Sequence, residues 1–554
     1  MLPETATTPP PDEDPPIVRP SARPLMDWDA WGDGSHPASL PPGAKTILGA
    51  LLRGTRHPVP RIPREALTLT PSRLTDDDLD ALRVAADCTR HDDVRARHLG
   101  GKSTPDLLNR RSAGAQAAPD AVGFPASHAQ VAGFLRVCDE RGIAVVPFGG
   151  GTSVVGGVDP ESGRQRAVVA LDLTRTAGLR CVDETSLLAT FGAGTTGPQA
   201  EELLGARGYT LGHFPQSFEF ASIGGFAATR SSGQASRGYG RFDELVHRLR
   251  IATPAGELDT GRAPSSAAGP DLRELFLGSE GAFGVITEVT VRIRPTPAAT
   301  AYGAWTLPDF DAGAAALREL TQRGSPATVI RLSDATETKV NAAVGGHLGR
   351  LRGCLAVATF EGASASQATA ARASTAAVFA AHGGKDRGEE PARSWERSRF
   401  AAPGLRDALL DIGVLAETLE TATTWARLGA LKAAVTSALT TTLGAEGTAP
   451  VVMCHISHVY PAGASLYFTV VAALTEDPVA QWRRAKDAAT RAILEAGGTI
   501  THHHAVGRDH RPYLAAEIGD LGVEILRAVK RTVDPHGIMN PGALVPPVDV
   551  PTAP

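Results

Sequence analysis

The run GGTITHHHAVGRDH places three histidines side by side, His502, His503 and His504. Imidazole is the side chain best matched to exchanging protons near neutral pH. On a strand the run would turn His502 and His504 to one face and His503 to the other. A metal would need a third ligand on one of those faces, and no cysteine or carboxylate stands close by on that strand. Proton chemistry therefore ranks above metal binding, and no metal site is assigned. Tyr467, one of six tyrosines, lies in the strand-like SLYFTV, where base rates favour a buried aromatic with a satisfied hydroxyl. Arg331 ends the apolar run of VIRLSD, and Arg406 falls in LRDALL on a helix that also carries Asp407. Surface ion pairs are the usual role of such arginines. A guanidinium fork also suits a phosphate or carboxylate, and a chain of formal charge −5 has to concentrate positive charge locally to hold either.

A second constellation is built of glycine. In VVPFGGGTSVVGG an apolar strand runs into Gly149, Gly150 and Gly151, followed by the hydroxyls of Thr152 and Ser153. Such a loop can turn tightly and bring successive N–H groups against an anion such as a pyrophosphate. A plain glycine turn is the competing reading of this run alone. The pattern is neither GxGxxG nor GxxxxGK followed by Ser or Thr, which disfavours a nicotinamide Rossmann site and a P-loop. Three further segments repeat close backbone approach: FPQSFEFASIGGFAATRSSG from Phe214, the PAGE turn at Pro254 to Glu257, and LGSEGAFGVITEVTVRIRP from Leu277. Within the first, Ser222, Ile223, Gly224 and Gly225 are expected to open a helix whose free N–H groups face a ligand.

These residues need a large scaffold. A chain of 554 residues implies two large domains plus terminal extensions. Its 42% hydrophobic and 21% charged content is that of a soluble globular enzyme. The slightly acidic balance points away from nucleic acid and anionic membranes as partners. Five widely separated cysteines without a CxxC pair read as reduced thiols. The proline-rich, acidic start lacks the regions of a signal peptide, and no apolar run reaches the roughly 18 residues of a membrane span. A cytoplasmic enzyme follows, with peripheral membrane contact through a surface patch left open. Thr75 is placed to cap a helix beginning with acidic residues. From Pro119 to Pro295 short β-branched runs alternate with helices and glycine turns, one α+β domain. From about Ala299 to Ile500 strand-like pieces alternate with alanine-rich helices, as in a sheet with helices on one face. GVEILRAVKRTVD is a terminal helix stopped by Pro535-His536-Gly537.

The runs PDAVGFPASHAQV, VVPFGGGTS, FPQSFEFASIGGFAATRSSG and LFLGSEGAFGVITEVTVRIRP follow one another in this order. Together they resemble the FAD domain of the vanillyl-alcohol oxidase and p-cresol methylhydroxylase flavoproteins. The resemblance implies an α+β fold, a two-subdomain FAD-binding domain plus an α/β cap with an antiparallel sheet. The implied divisions are a disordered tail (1–25), an N-terminal helical region (26–114), the FAD domain (115–298), the cap or substrate domain (299–520) and a C-terminal segment (521–554). By the same resemblance Pro147, Phe148, Gly149, Gly150, Gly151, Thr152 and Ser153 cradle the FAD pyrophosphate. Pro215, Gln216, Ser217, Phe218, Glu219, Phe220 and Ala221, with Ala228, Thr229, Arg230 and Ser231, line the isoalloxazine and ribityl chain, and Gly224 and Gly225 also face the cofactor. Glu280, Gly281, Ala282, Phe283, Gly284, Val285 and Ile286 close over the adenine side.

Outside that domain, MDWDAWGDG, HLGGKSTPDLL, VIRLSD, LRDALLDIGVLAETLETATTW, CHISHVYPAGASLYF and GGTITHHHAVGRDH resemble the alkyldihydroxyacetonephosphate synthases, from about Met26 to Leu544. That resemblance implies noncovalent FAD, a lipid-phosphate substrate and a homodimer. The implied reaction replaces the acyl group of acyl-dihydroxyacetone phosphate with a long-chain alcohol through an adduct at flavin N5, without net redox change. Tyr467 and the histidines, His503 first among them, would move the protons. Arg406 would hold the substrate phosphate, and Arg331 would lie near the flavin and the reacting centre. The alternative is a flavin-linked oxidase or dehydrogenase of a 2-hydroxy acid or alcohol, because one scaffold hosts both chemistries. LETATTW and the short stretch between Glu337 and Leu355 depart from the family pattern and leave the substrate open. The terminal PTAP is not a small-basic-leucine tripeptide and gives peroxisomal targeting no support.

Overall fold

The computed structural model describes residues 17–34, 39–40, 43, 48–49, 52, 56–112, 114–324, 326–344 and 351–547. The capping signal at Thr75 opens α1 (Asp76–Ala85), with Thr75 and Asp78 bonding to each other's backbone N–H. A short α2 (Thr104–Arg110) follows. The β-branched runs then build two sheets. β1 (Asp87–Thr89), β2 (Ala121–Phe124), β3 (Ile143–Phe148) and β4 (Ala167–Asp172) lie in the order β1-β2-β4-β3, parallel except for the first pair. β2 and β3, which flank β4, run parallel and are joined by the crossover helix α3 (His128–Arg141), which Ser127 caps and Gly142 ends in the left-handed region. β5 (Leu179–Asp183), β6 (Leu188–Gly192), β7 (Val246–Thr253), β8 (Gly256–Asp259) and β9 (Val285–Arg292) form an antiparallel sheet, order β8-β7-β9-β6-β5. Among the helices between β6 and β7 is the short α4 (Ile223–Ala228) of the SIGG run.

Of the tail expected over 1–25, residues 1–16 lie outside the described residues. Residues 17–25 do not hang free, because Val18 bridges to Leu179 and Ser21 donates to Glu202 at 2.6 Å.

The cap sheet has seven strands: β10 (Ala299–Leu307), β11 (Val329–Ser333), β12 (Cys354–Gly362), β13 (Lys385–Asp386), β14 (Val414–Thr424), β15 (Val451–Val459) and β16 (Gly463–Ala473). Their order is β13-β10-β12-β11-β15-β16-β14, with antiparallel neighbours. Side chains alternate along each strand. Trp305, Leu332, Phe360, Ile456 and Phe468 turn to one face and pack in the largest core against α5 (Phe310–Gln322), α7 (Ala365–Ala381), α10 (Leu428–Ala445) and α11 (Pro478–Glu495). Truncating a buried aromatic such as Phe468 would cost about 3–5 kcal/mol, so this core fixes the sheet firmly. The opposite face is not bare, which corrects the expectation of helices on one face only. Val340 of α6 (Ala335–Val344) and Leu409 of α9 (Ala402–Leu410) pack on Met453 and Val471 there, and Ala392 of α8 (Glu390–Ser398) packs near Ala304.

That second face carries a polar row. The ladder aligns Ser333 with His455, His455 with Tyr467, and Tyr467 with Glu420 across four adjacent strands, with Arg331 two residues from Ser333 on the same side. The chain closes with α12 (Leu514–Val533), longer than its sequence signal because it begins before a kink at Gly519.

Candidate active site

Tyr467 is the centre of an aromatic cluster. Its ring stacks on His455, with centroids 4.9 Å apart and planes at 23°, and on His503 at 5.9 Å and 13°, while His504 meets it edge-on at 5.7 Å. The tyrosine and the histidine run singled out from sequence therefore meet in space. Their local structure differs from expectation: residues 501–506 form an irregular bend, not a strand, so strict alternation of the histidines does not apply.

A loop outside any ladder must find other partners for its N–H groups. Here two carboxylates supply them. Glu420 of β14 accepts from Thr501 Oγ1 at 2.6 Å and from the N–H groups of His502, His503 and His504 at 2.5, 3.1 and 2.8 Å. Glu280 of the FAD domain accepts from the N–H groups of Val506 and Gly507 at 2.9 and 2.7 Å. The loop thus hangs between one buried carboxylate from each domain. Ala505, between the two anchors, sits at φ 74°, a left-handed conformation that a non-glycine residue keeps only when its surroundings hold it there.

The histidines are bonded onward. Tyr460 Oη lies 2.6 Å from His502 Nε2, and His502 Nδ1 lies 3.0 Å from His503 Nδ1. His458 donates from Nε2 to the Gly233 carbonyl at 2.9 Å, and its Nδ1 meets Ser457 Oγ at 2.9 Å. His458 is the third ligand that the sequence alone did not supply, because ring nitrogens of His458, His502 and His503 lie within 4.8 Å of one another. The hydrogen bonds just named already use both ring nitrogens of His458 and of His502, which leaves proton chemistry as the better reading.

Burial decides the charges. It is the first cause that lowers the pKa of His502 and His503 well below the usual histidine range; His458 and Arg241 add to it, and Glu420 opposes it. The same cause brings His458 down to about 4. Glu420 goes the other way: burial raises it, but His503, His504 and His502 outweigh that and hold it well below the carboxylate range. Burial pushes the Tyr467 phenol up to about 12 against a hydrogen bond from Thr418. At neutral pH the cluster is a protonated phenol, neutral imidazoles and one anion beneath the loop.

The two arginines are held differently. Arg331 Nη2 pairs with Glu337 of α6 at 2.7 Å, and the same oxygen lies 3.1 Å from His455 Nδ1. Burial raises the Glu337 carboxyl, but His455 and Arg331 bring it down to about 2. Arg406 of α9 donates from Nη2 to the Lys102 carbonyl, its Nη1 is 3.7 Å from Glu417, and its buried Nε has no partner. Its surroundings unite segments far apart in sequence: Asp407 accepts the Trp31 N–H at 2.9 Å, and Arg110 donates to the Trp28 carbonyl at 2.9 Å.

In the FAD domain the backbone N–H groups of Gly149, Gly150, Gly151, Thr152 and Ser153 meet no protein acceptor among the described residues. A Cβ at Gly150 would lie 2.1 Å from the Phe220 carbonyl, and one at Gly149 would lie 2.3 Å from Ser222 Oγ, so the loop packs directly on the FEFASIGG segment. That contact continues Pro147 and Phe148 of β3. The free N–H groups expected at Gly224 and Gly225 are not free: Ile223, Gly224 and Gly225 donate to Thr195 O, Ala193 O and Ser222 Oγ. From Pro215 to Ala221 the chain wedges against the cap, with Gln216 donating to the Arg399 carbonyl at 2.7 Å and Phe218 stacked on Phe400 at 5.3 Å. Ser217 and Glu219 belong to the same segment, and Ala228 accepts the Glu280 N–H. Ser231 Oγ meets His213 Nε2 at 3.1 Å. Beside it, His213 Nδ1, Ser232 Oγ and Gln234 Oε1 are buried polar atoms without partners. Gly281 backs onto Pro147, and Ala282, Phe283, Val285 and Ile286 are buried, with Gly284 close under the Ala252 carbonyl. A cleft of about 550 Å³ runs between the domains past Thr229, Arg230, Arg241, Tyr460, His502 and His503.

Residues 119–261 match the family described as FAD binding domain, and residues 296–544 match FAD linked oxidases, C-terminal domain. Over 478 residues the chain is 31% identical to the alkyldihydroxyacetonephosphate synthase of Trypanosoma brucei brucei, across 82% of this chain and 77% of that protein. The chain belongs to the alkyldihydroxyacetonephosphate synthase family. A solved structure of an alkyldihydroxyacetonephosphate synthase superposes with a TM-score of 0.80 over 93% of this chain and 98% of that one, at 26% identity. p-Cresol methylhydroxylase, 16% identical with a TM-score of 0.65 over 86% of this chain and 98% of its own, shares the fold. As a member of the synthase family the chain is an FAD-dependent enzyme, and its residues fit that cofactor. The five unpaired N–H groups of the glycine loop suit a pyrophosphate, and the three orphaned polar atoms near Ser231 suit the edge of a polar ring.

Sequence reasoning missed Glu420, Glu337, Arg241, Tyr460, His455 and His458. The last three stand in CHISHVYPAGASLYF, where several polar side chains interrupt an apolar strand. Glu420 was visible as a carboxylate in a strand otherwise rich in threonine and apolar residues, but its partners lie about eighty residues away.

Proposed function

We propose that the protein replaces the acyl group of an acyl-dihydroxyacetone phosphate by a long-chain alcohol, giving an alkyl ether and a fatty acid, with FAD bound noncovalently. The bond from the substrate carbon to the acyl oxygen breaks, a bond from that carbon to the alcohol oxygen forms, and the alcohol proton balances the departing carboxylate. No net oxidation occurs. When bound, held by the glycine loop from Gly149 to Ser153, FAD would supply an electron-accepting ring.

The observation that carries this reading is the stacking of Tyr467 on both His455 and His503 at the polar face of the cap sheet. Tyr467 keeps its proton and His503 stays uncharged at the same pH, so one can give a proton while the other takes one. Of Arg331 and Arg406, Arg406, with an unsatisfied Nε, is the better able to take a phosphate oxygen. The loop anchored by Glu420 and Glu280 fixes His503 in place, and positioning of this kind is a large part of catalysis in such exchanges.

The test is ether formation from palmitoyl-dihydroxyacetone phosphate and hexadecanol under anaerobic conditions. Product without any electron acceptor is expected, together with its loss in Tyr467→Phe. Flavin reduction by a 2-hydroxy acid, reoxidation in air and no ether would replace this reading by a dehydrogenase on the same fold.

A further inference from the structure

His503, His502 and Tyr460, which all border the cleft, form a hydrogen-bonded chain: His503 Nδ1 to His502 Nδ1 at 3.0 Å, and His502 Nε2 to Tyr460 Oη at 2.6 Å. A neutral imidazole has one N–H and one lone pair. Of two facing Nδ1 atoms, one therefore carries the proton and the other does not, and that choice fixes the rest of the chain. When Tyr460 donates to His502 Nε2, His502 donates from Nδ1 and His503 carries its proton on Nε2. When His503 donates from Nδ1, its Nε2 bears a lone pair, His502 donates from Nε2 and Tyr460 accepts. The chain has two arrangements that differ by one proton shifted along it.

The outer end is fixed by the FAD domain. Arg241, which can only donate, bonds to the His502 carbonyl at 2.9 Å and to Tyr460, and Asp243 holds it at 3.2 Å. Tyr460 and Arg241 both line the cleft, where a phenolic proton can pass to water. The other ionisable groups facing the chain are His458, committed to the Gly233 carbonyl, Glu420, 3.7 Å from His503 Nδ1, and Tyr467 and His504, whose rings lie 5.9 and 4.8 Å from that of His503.

We infer that Tyr460 and His502 relay protons between His503 and the solvent beside Tyr460 in that cleft. As a proton arrives at His503 Nε2, the Nδ1 proton of His503 moves to His502 Nδ1, the Nε2 proton of His502 moves to the Tyr460 oxygen, and the Tyr460 hydroxyl proton leaves to water. The reverse shift returns it. No imidazolium remains, which matters in a buried site that penalises that charge. Tyr460 acts through His502 and His503 and is a positioning and relay residue, and its role in turnover rests on the proposed synthase reading.

The test uses full-length holoenzyme and Tyr460→Phe. In the variant, kcat for ether formation is expected to fall about 10²-fold with KM nearly unchanged, and added imidazole should restore part of the rate. Histidine ring-nitrogen NMR on 15N-labelled protein, assigned with His502→Gln and His503→Gln, reads the tautomers without substrate. Complementary fixed tautomers are expected in the parent protein and mixed ones in Tyr460→Phe. Unchanged tautomers, an unchanged kcat, or a loss that imidazole does not restore would overturn the relay. A parent protein that makes no ether would remove the synthase reading, while the tautomers would still decide the relay.

Discussion

Glu420 stands directly across from Tyr467 in the β14–β16 ladder, and the same carboxylate accepts the N–H groups of His502, His503 and His504. One buried anion therefore sets the position of the histidine loop relative to the phenol. Glu420→Gln keeps the shape but removes the charge and one acceptor oxygen. A hydrogen bond to a charged group contributes about 1.5–3 kcal/mol, and a loss of that order is expected in denaturant unfolding. Ether formation should fall about 100-fold as the loop loosens. A variant with parent stability and rate would show that the loop is held by other means.

The buried histidines and carboxylates predict how stability varies with pH. His458 and His213, whose folded pKa values are lowered to about 4 and about 3 by burial, bind fewer protons folded than unfolded below about 6.5. Their contribution is fully present above 6.5 and is lost as pH falls toward those values. Glu337, held down to about 2, adds a loss that begins below about 4.5. These groups make the unfolding midpoint decline from about pH 6.5 downward and more steeply below 4.5, against the carboxyls of Glu280 and Glu361, which burial raises to about 7 and which favour the folded state as pH falls from 7 toward 4.5. A His458→Gln variant should therefore decline less than the parent between pH 7 and 5, and a difference that does not vary with pH would mean that His458 ionises freely in the folded protein.

Most of the framework was legible in the sequence, and the reasons are local. Thr75, Gly142 and the β-branched runs act through neighbours in the chain, so caps, turns and strands follow from composition. The polar row could be half seen: SLYFTV places Tyr467 opposite in parity to Leu466 and Phe468, but which strands flank it depends on register. The histidine run shows the limit. Its histidines look like a polar strand edge, whereas the loop exists because Glu280 and Glu420, lying 226 and 82 residues from their partners, take its N–H groups. The helix expected to present N–H groups at Gly224 failed for the same reason, since Ala193 and Thr195 reach it from another part of the chain.

Tyr467→Phe isolates the phenol. With its pKa pushed up to about 12, the hydroxyl stays protonated through the working range. The parent kcat profile should show no falling limb from this group between pH 8 and 10. The variant should lose about 10²–10⁴ in kcat while keeping its FAD. An alkaline limb near pH 9 that disappears in the variant would contradict a phenol raised by burial.

Gly150→Ala tests the cofactor cradle and the noncovalent attachment together. The new methyl would sit 2.1 Å from the Phe220 carbonyl, which is backbone and cannot swing away. The glycine loop must then leave the FEFASIGG segment, and the variant should purify colourless or lose FAD on gel filtration. The parent protein, precipitated with acid, should release all of its FAD to the supernatant. Yellow colour retained in the pellet would indicate a covalent bond.

Arg406 and Arg331 should respond in opposite ways to the same Arg→Lys change. Arg331 is tied to the buried carboxylate of Glu337 at 2.7 Å. A lysine loses the fork and leaves that anion poorly compensated; breaking such a buried pair costs about 3–5 kcal/mol. Arg331→Lys is therefore expected chiefly as a fall in stability. Arg406 holds a backbone carbonyl, stands 3.7 Å from Glu417 and keeps an unsatisfied Nε. Its lysine variant should fold but lose two-point contact with a phosphate, raising KM for the phosphorylated substrate about 10-fold with a smaller change in kcat. Equal effects on a phosphorylated and a phosphate-free substrate would show that Arg406 shapes the pocket without reading the phosphate.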